Sequence, residues 1–127
     1  MAQAKILIID DEKLVRTMLT DLLRARGHAV VTAEDGASGL AAAQKERPNV
    51  IILDVMMPGI DGFEVCEALK KDAMTARIPV IILTASEDPQ LTKKAFKVGA
   101  AFTLIKTSKP ERVLSTLHLA LTLAPPA

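Results

Sequence analysis

Three carboxylates, one hydroxyl and one ammonium mark where this sequence could do chemistry: Asp10 and Asp11, Asp54, Thr84, and Lys106. Each group lies at the end of a short apolar run, so the groups come from four separate stretches of chain. Taken singly they have ordinary explanations, because aspartates and threonines cap helices and form turns, and a lone lysine is usually solvated. Those explanations do not account for all five falling at equivalent places. Carboxylates brought to roughly 5 Å repel by about 3 kcal/mol per pair at an effective dielectric near 20. A hard dication offsets that repulsion. Mg²⁺ suits a shallow, partly hydrated site offering one or two direct carboxylates, and Lys106 balances charge on the other side. Asp54 is then a carboxylate nucleophile toward phosphorus, and the metal, the Lys106 ammonium and the Thr84 hydroxyl would share the oxygens of the aspartyl phosphate formed.

The apolar runs Ile6–Ile9, Val50–Leu53 and Val80–Leu83 are short, branched and continuous, as strands buried on both faces are. Val15, Met18, Leu19, Leu22 and Leu23 share one face of a helix over Glu12–Arg26, which Gly27 ends. His28–Ala33 predicts a second strand. Gly36–Glu46 predicts a helix stopped before Pro48, and Gly39 inside it costs about 1 kcal/mol relative to Ala, which implies close packing against a neighbour. A helix over Gly62–Asp72 turns Val65, Cys66 and Leu69 inward; one over Asp88–Val98 does the same with Leu91, Ala95 and Val98, and Gly99 closes it. Ala101–Ile105 is a weaker last strand, and Ser108 with Pro110 and Glu111 predicts a capping box opening a final helix. The order is βα five times over. Such alternation implies an α/β doubly wound fold: a five-stranded parallel sheet, right-handed crossovers, helices on both faces, and a site at the carboxyl ends of the strands.

The 127 residues suffice for one domain, with a core over about 4–123 and a short C-terminal tail. Sixteen Lys and Arg against fifteen Asp and Glu leave a net charge of +1 and no broad field for nucleic acid, and three Phe with no Trp or Tyr provide no stacking platform for single strands. A single cysteine, Cys66, forms no internal disulfide and no thiolate metal cage. No secretory leader is legible. The longest uncharged stretch, Val113–Ala127, falls short of the ~20 apolar residues of a membrane span, so a cytoplasmic protein is expected.

The segments Ile6-Leu-Ile-Ile-Asp-Asp-Glu12, Ile51-Ile-Leu-Asp-Val-Met-Met-Pro-Gly-Ile-Asp-Gly62 and Pro79-Val-Ile-Ile-Leu-Thr-Ala85, with Gly99-Ala100 ahead of Lys106, carry a family resemblance. The chain resembles a response-regulator receiver domain of two-component signalling over essentially its whole length. That resemblance implies a (βα)5 flavodoxin-like fold with strand order 2-1-3-4-5. It implies that Asp54 takes phosphate from a histidine kinase, a phosphotransfer protein or a small phosphodonor. It further implies that Asp11, Asp54 and the Met56 backbone carbonyl hold Mg²⁺ directly, that Asp10 acts through water, and that Thr84 and Lys106 bind the phosphoryl group. Output would be binding to a downstream protein target, from a stoichiometric phosphoacceptor that assists its own phosphoryl transfer and slow dephosphorylation rather than an enzyme.

The sequence departs from the family pattern in places. Receivers commonly carry Pro directly after the lysine, whereas Thr107 follows Lys106; a rival register would make Lys109-Pro110 the motif, but Lys106 lies directly after the strand. Thr103 stands where many members have an aromatic that reports phosphorylation, and it buries much less apolar area. Met56 and Ser86 occupy positions that tune water access to the phosphoryl group. On the last helix, with Leu117 at the centre of the inward face, Val113, Leu114, Ala120 and Leu121 lie within about 60° of it, whereas Leu119 and Leu123 point away as a candidate self-association surface. Competing readings are weaker. An aspartyl phosphohydrolase needs a second Asp where Met56 stands, and a flavin phosphate would be repelled by Asp10-Asp11-Glu12. A receiver-like interaction module that is never phosphorylated, or a receiver cut from a longer regulator, stay open.

Overall fold

The computed structural model describes residues 3–56 and 61–123. Met1 and Ala2, the Met57-Pro58-Gly59-Ile60 part of the Asp54 motif, and the tail from Ala124 to Ala127 lie outside the described residues. Five strands, β1 (Lys5–Ile9), β2 (Ala29–Ala33), β3 (Val50–Asp54), β4 (Val80–Thr84) and β5 (Phe102–Ile105), alternate with α1 (Lys13–Ala25), α2 (Gly36–Glu46), α3 (Gly62–Lys71), α4 (Pro89–Lys97) and α5 (Pro110–Leu123). The strands form one parallel sheet in the order β2-β1-β3-β4-β5, as expected.

The pleat explains the two cores. Successive side chains on a strand point to opposite faces. Ile6, Ile8, Val50, Ile52, Ile81, Leu83 and Leu104 therefore pack under α1 and α5 with Leu19, Leu23, Val113 and Leu117. Leu7, Ile9, Ile51, Leu53, Val80 and Ile82 pack on the other face with Val65, Cys66, Leu69 and Ala95 from α3 and α4. With both faces covered, the central strands have no polar side to display, which is why their runs are continuous rather than alternating.

Local chemistry sets the helix ends. Asp35, Asp61 and Asp88 accept hydrogen bonds from the backbone N–H groups of Ser38, Phe63 and Gln90 at the starts of α2, α3 and α4. Gly27 and Gly99, with φ of 89° and 99°, follow α1 and α4 in the left-handed region where a side chain would be strained. Arg47 takes φ 45° to end α2 ahead of Pro48. Gly39 fulfils its expected role, since a Cβ there would sit 2.6 Å from Ile9 Cδ1.

Two expectations need correcting. Met18 is not part of the buried stripe of α1: it is 62% exposed, and Leu19 and Leu23 carry the burial, because the inward arc is narrower than the apolar one. Lys109, not Ser108, precedes α5, and its carbonyl accepts the first helical bond from Val113 N–H. Pro110, with its φ already helical and no N–H to satisfy, starts the helix one residue later than a Ser108 cap would.

Candidate functional site

The sheet brings residues from three strands to its carboxyl edge on one side. Ile8, Ile52 and Leu104 all face α1 and α5, so residues two further along, Asp10, Asp54 and Lys106, continue on that same side. Lys106 Nζ lies 3.1 Å from Asp54 Oδ2 and 3.5 Å from Asp10 Oδ2. Thr84 has the opposite parity to Leu83, and its buried hydroxyl donates to the Ser86 carbonyl at 2.7 Å. Asp11 stands exposed at the mouth, and one oxygen each of Asp10, Asp11, Glu12 and Asp54 fall within 4.8 Å of one another. Met56 follows Asp54 by two residues; its N–H donates to Asp54 Oδ1 at 3.0 Å while its side chain is exposed.

These contacts tie the loops to the carboxylates. Asp10 Oδ1 accepts the Glu12 N–H at 2.9 Å, and Arg16, from the first turn of α1, donates to the Asp10 carbonyl at 2.7 Å. Gly62 at the start of α3 presses on β3 so closely that a Cβ would lie 2.3 Å from the Asp54 carbonyl oxygen. The Met56 backbone and the start of α3 are thereby held beside Asp54.

Both central aspartates are fully buried, and burial penalises the ionised form. That penalty pushes the Asp54 carboxyl up to about 6; the Asp10 charge adds to the rise, while the Met56 N–H and Lys106 oppose it. Asp10 is raised for the same first reason. Burial alone would lower the Lys106 ammonium, but hydrogen bonds to Glu12 and Asp54 and the charges of Asp54 and Asp10 outweigh it, so Lys106 stays protonated. Lys109 has no place in this cluster, which favours the Lys106 register.

One atom is left over. Among the described residues, Asp10 Oδ2 is a buried acceptor with no hydrogen-bond partner. An orphaned carboxylate oxygen amid closely spaced hard oxygen donors fits a hard divalent cation, which prefers oxygen ligands and neutralises the excess negative charge.

Two features were not legible in the sequence. Glu12 reads as the start of a helix, yet its carboxylate bonds Lys106 from 94 residues away. Arg16 falls inside the expected first helix with no spacing to single it out, yet it holds the Asp10 backbone. No local pattern signals a partner so distant. A cavity of about 50 Å³ beside Thr84, Ser86 and Arg112 has Thr103 as part of its wall, consistent with the small volume expected of Thr103.

The chain matches the response regulator receiver domain over residues 6–118. It is 41% identical over 120 residues to the protein PilH of Pseudomonas aeruginosa, an alignment covering 93% of this chain and 98% of that protein. It superposes on the chemotaxis protein CheY4 of Vibrio cholerae with a TM-score of 0.89 at 39% identity, covering 94% of this chain and 99% of that one. The probable transcriptional regulator ycf27 of Galdieria sulphuraria is 39% identical over 92% of this chain, which spans only 45% of that longer protein.

Proposed function

Because the chain belongs to the receiver domains of two-component response regulators, we propose that it is a phosphorylation-controlled switch whose acceptor is Asp54. The observation that carries this reading is the buried Asp54 carboxylate 3.1 Å from the Lys106 ammonium, beside further carboxylates that fit a divalent cation.

Asp54 is held for attack. Its Oδ1 accepts the Met56 N–H and its Oδ2 faces Lys106, so the carboxylate cannot rotate freely. With a pKa of about 6 it is mostly ionised at neutral pH even without further help. An Asp54 oxygen forms the new bond to phosphorus as the donor's P–O or P–N bond breaks, and the leaving group departs with that electron pair. Lys106 then lies where it can pair with a phosphoryl oxygen. Thr84 must release the Ser86 carbonyl to donate to another. Asp11, Asp54 and the Met56 carbonyl would hold Mg²⁺, with Asp10 reaching it through water; when bound, the ion neutralises the carboxylates and the incoming phosphoryl oxygens.

The donor would be a histidine kinase, a phosphotransfer protein or a small phosphodonor, and the output is binding to a downstream protein in the cytoplasm. The domain acts as a stoichiometric acceptor, not a catalyst of multiple turnover on other substrates. No nucleic acid or membrane is needed for this role, and no helix among the described residues is long and apolar enough to cross a membrane. Leu119 and Leu123, 52% and 59% exposed on α5, supply a surface for self-association.

Incubation with acetyl phosphate and Mg²⁺, followed by intact mass and peptide mapping, tests the reading. One phosphoryl group on Asp54, absent from Asp54→Ala, is expected. An unmodified parent would leave a receiver-like interaction module.

A further inference from the structure

We propose that Glu12 is a resting-state latch on Lys106, which must let go of the ammonium before Lys106 can serve a phosphoryl group. This inference rests on the phosphorylation reading above. Lys106 Nζ has three donors, and three carboxylates already surround it: Glu12, Asp54 at 3.1 Å and Asp10 at 3.5 Å. Glu12 and Asp54 take two of its donors by hydrogen bond, and the buried Asp10 Oδ2 lies at ion-pair distance from the same ammonium. A phosphoryl group on Asp54 brings strong acceptor oxygens and a charge near −2 to this spot, and Lys106 must turn toward them.

That turn draws the ammonium away from one of its three present neighbours, and their surroundings decide which. Asp54 becomes the phosphoryl carrier. Asp10 is fully buried, and its Oδ2 has no hydrogen-bond partner among the described residues, so losing the ammonium 3.5 Å away would leave its charge uncompensated. Glu12 is different. Its side chain is 56% exposed, and water replaces the ammonium at little cost once it is released. Glu12 is also held next to the pocket by its own backbone, because its N–H donates to Asp10 Oδ1 and its carbonyl accepts the Arg16 N–H. The carboxylate thus occupies the position of an anion that competes with the phosphoryl oxygens, and it acts through Lys106 as a positioning residue rather than by touching the reacting atoms.

Removing the latch should make the phosphorylated state easier to reach. Glu12→Gln keeps the shape and removes the charge. At saturating Mg²⁺, the acetyl phosphate concentration for half-maximal phosphorylation is expected to fall about 2- to 5-fold, the scale of an exposed ion pair. Glu34→Gln is the control, because Glu34 is an exposed carboxylate directly after β2 that pairs with Arg16 and not with Lys106. A second readout needs neither metal nor phosphate: the Lys106 side-chain ammonium signal in NMR should shift in Glu12→Gln and stay in place in Glu34→Gln.

An equal shift in donor requirement for both variants would reduce the effect to through-space charge and overturn the latch. So would a higher donor requirement in Glu12→Gln, or an unmoved Lys106 signal. A parent that accepts no phosphate overturns the phosphorylation reading and the latch with it, whereas a phosphorylated parent with an indifferent Glu12→Gln sinks the latch alone.

Discussion

Replacing Asp54 by Asn should stabilise the metal-free protein at neutral pH, although it removes a charged partner of Lys106. A carboxyl with a pKa of about 6 in the folded protein and 3.8 in the unfolded chain costs the folded state about 3 kcal/mol once ionised. Because the folded pKa is raised, the folded state holds the proton more tightly. The stability tied to that proton is full below about 3.8 and is lost as pH rises through about 6. Asn removes the ionisation and still offers an oxygen to the Met56 N–H, but its NH₂ group faces Lys106 in place of an acceptor, so the net gain is about 1–3 kcal/mol. For a domain of this size that corresponds to a rise in Tm of roughly 4–12 °C. Thermal unfolding followed by circular dichroism in EDTA at pH 7.5 and at pH 4.5 measures it. The gap should be large at pH 7.5 and smaller by about 2 kcal/mol at pH 4.5, where the folded parent's carboxyl is protonated while that of the unfolded chain is still largely ionised. His28, buried and lowered by desolvation with its Nδ1 accepting the Ala4 N–H, has the opposite slope, losing stability as pH falls below its ordinary 6.5; it is common to both proteins and drops out of the difference. Mg²⁺ should close or reverse the gap, since metal at a hundredfold excess over its Kd adds about 2.7 kcal/mol to a parent that binds it and much less to the variant. A variant that melts below the parent in EDTA at pH 7.5, or a gap independent of pH, refutes the claim that burial dominates the electrostatics of this site.

Other consequences are cheaper to check. Gly62→Ala puts a Cβ 2.3 Å from the Asp54 carbonyl oxygen and 2.4 Å from Val55 Cα, both backbone, so α3 must shift; a loss of about 3 kcal/mol in urea unfolding and impaired phosphorylation are expected, and a neutral midpoint would contradict the close approach. The exposed Met56 side chain presents no hydrogen bond to orient an attacking water, so the aspartyl phosphate should persist after donor removal, and Met56→Asn should shorten its lifetime by about tenfold, the worth of one hydrogen bond, in a phosphate-release assay. Sedimentation with and without beryllofluoride tests the α5 surface: association that Leu119→Ser with Leu123→Ser abolishes is expected, and identical monomers throughout would remove self-association.

Much of this molecule is written in short-range pattern. Continuous branched runs specify strands covered on both faces, aspartates and glycines bracket the helices, and the alternation of the two dictates a parallel sheet with a site at one edge. Asp10, Asp54, Thr84 and Lys106 were legible because each terminates its own strand, and topology places those ends together. What the chain order alone did not decide is how each side chain uses its place. Which face α1 and α5 cover sends Asp10, Asp54 and Lys106 to one side and turns the Thr84 hydroxyl to Ser86 instead. The Glu12–Lys106 pair, the Arg16 hold on Asp10 and the unpartnered Asp10 Oδ2 arise only when segments far apart in sequence meet. Periodicity is a property of neighbours along the chain, whereas burial and charge balance are properties of neighbours in space, and it is the latter that raise the Asp54 carboxyl and make the pocket fit a cation.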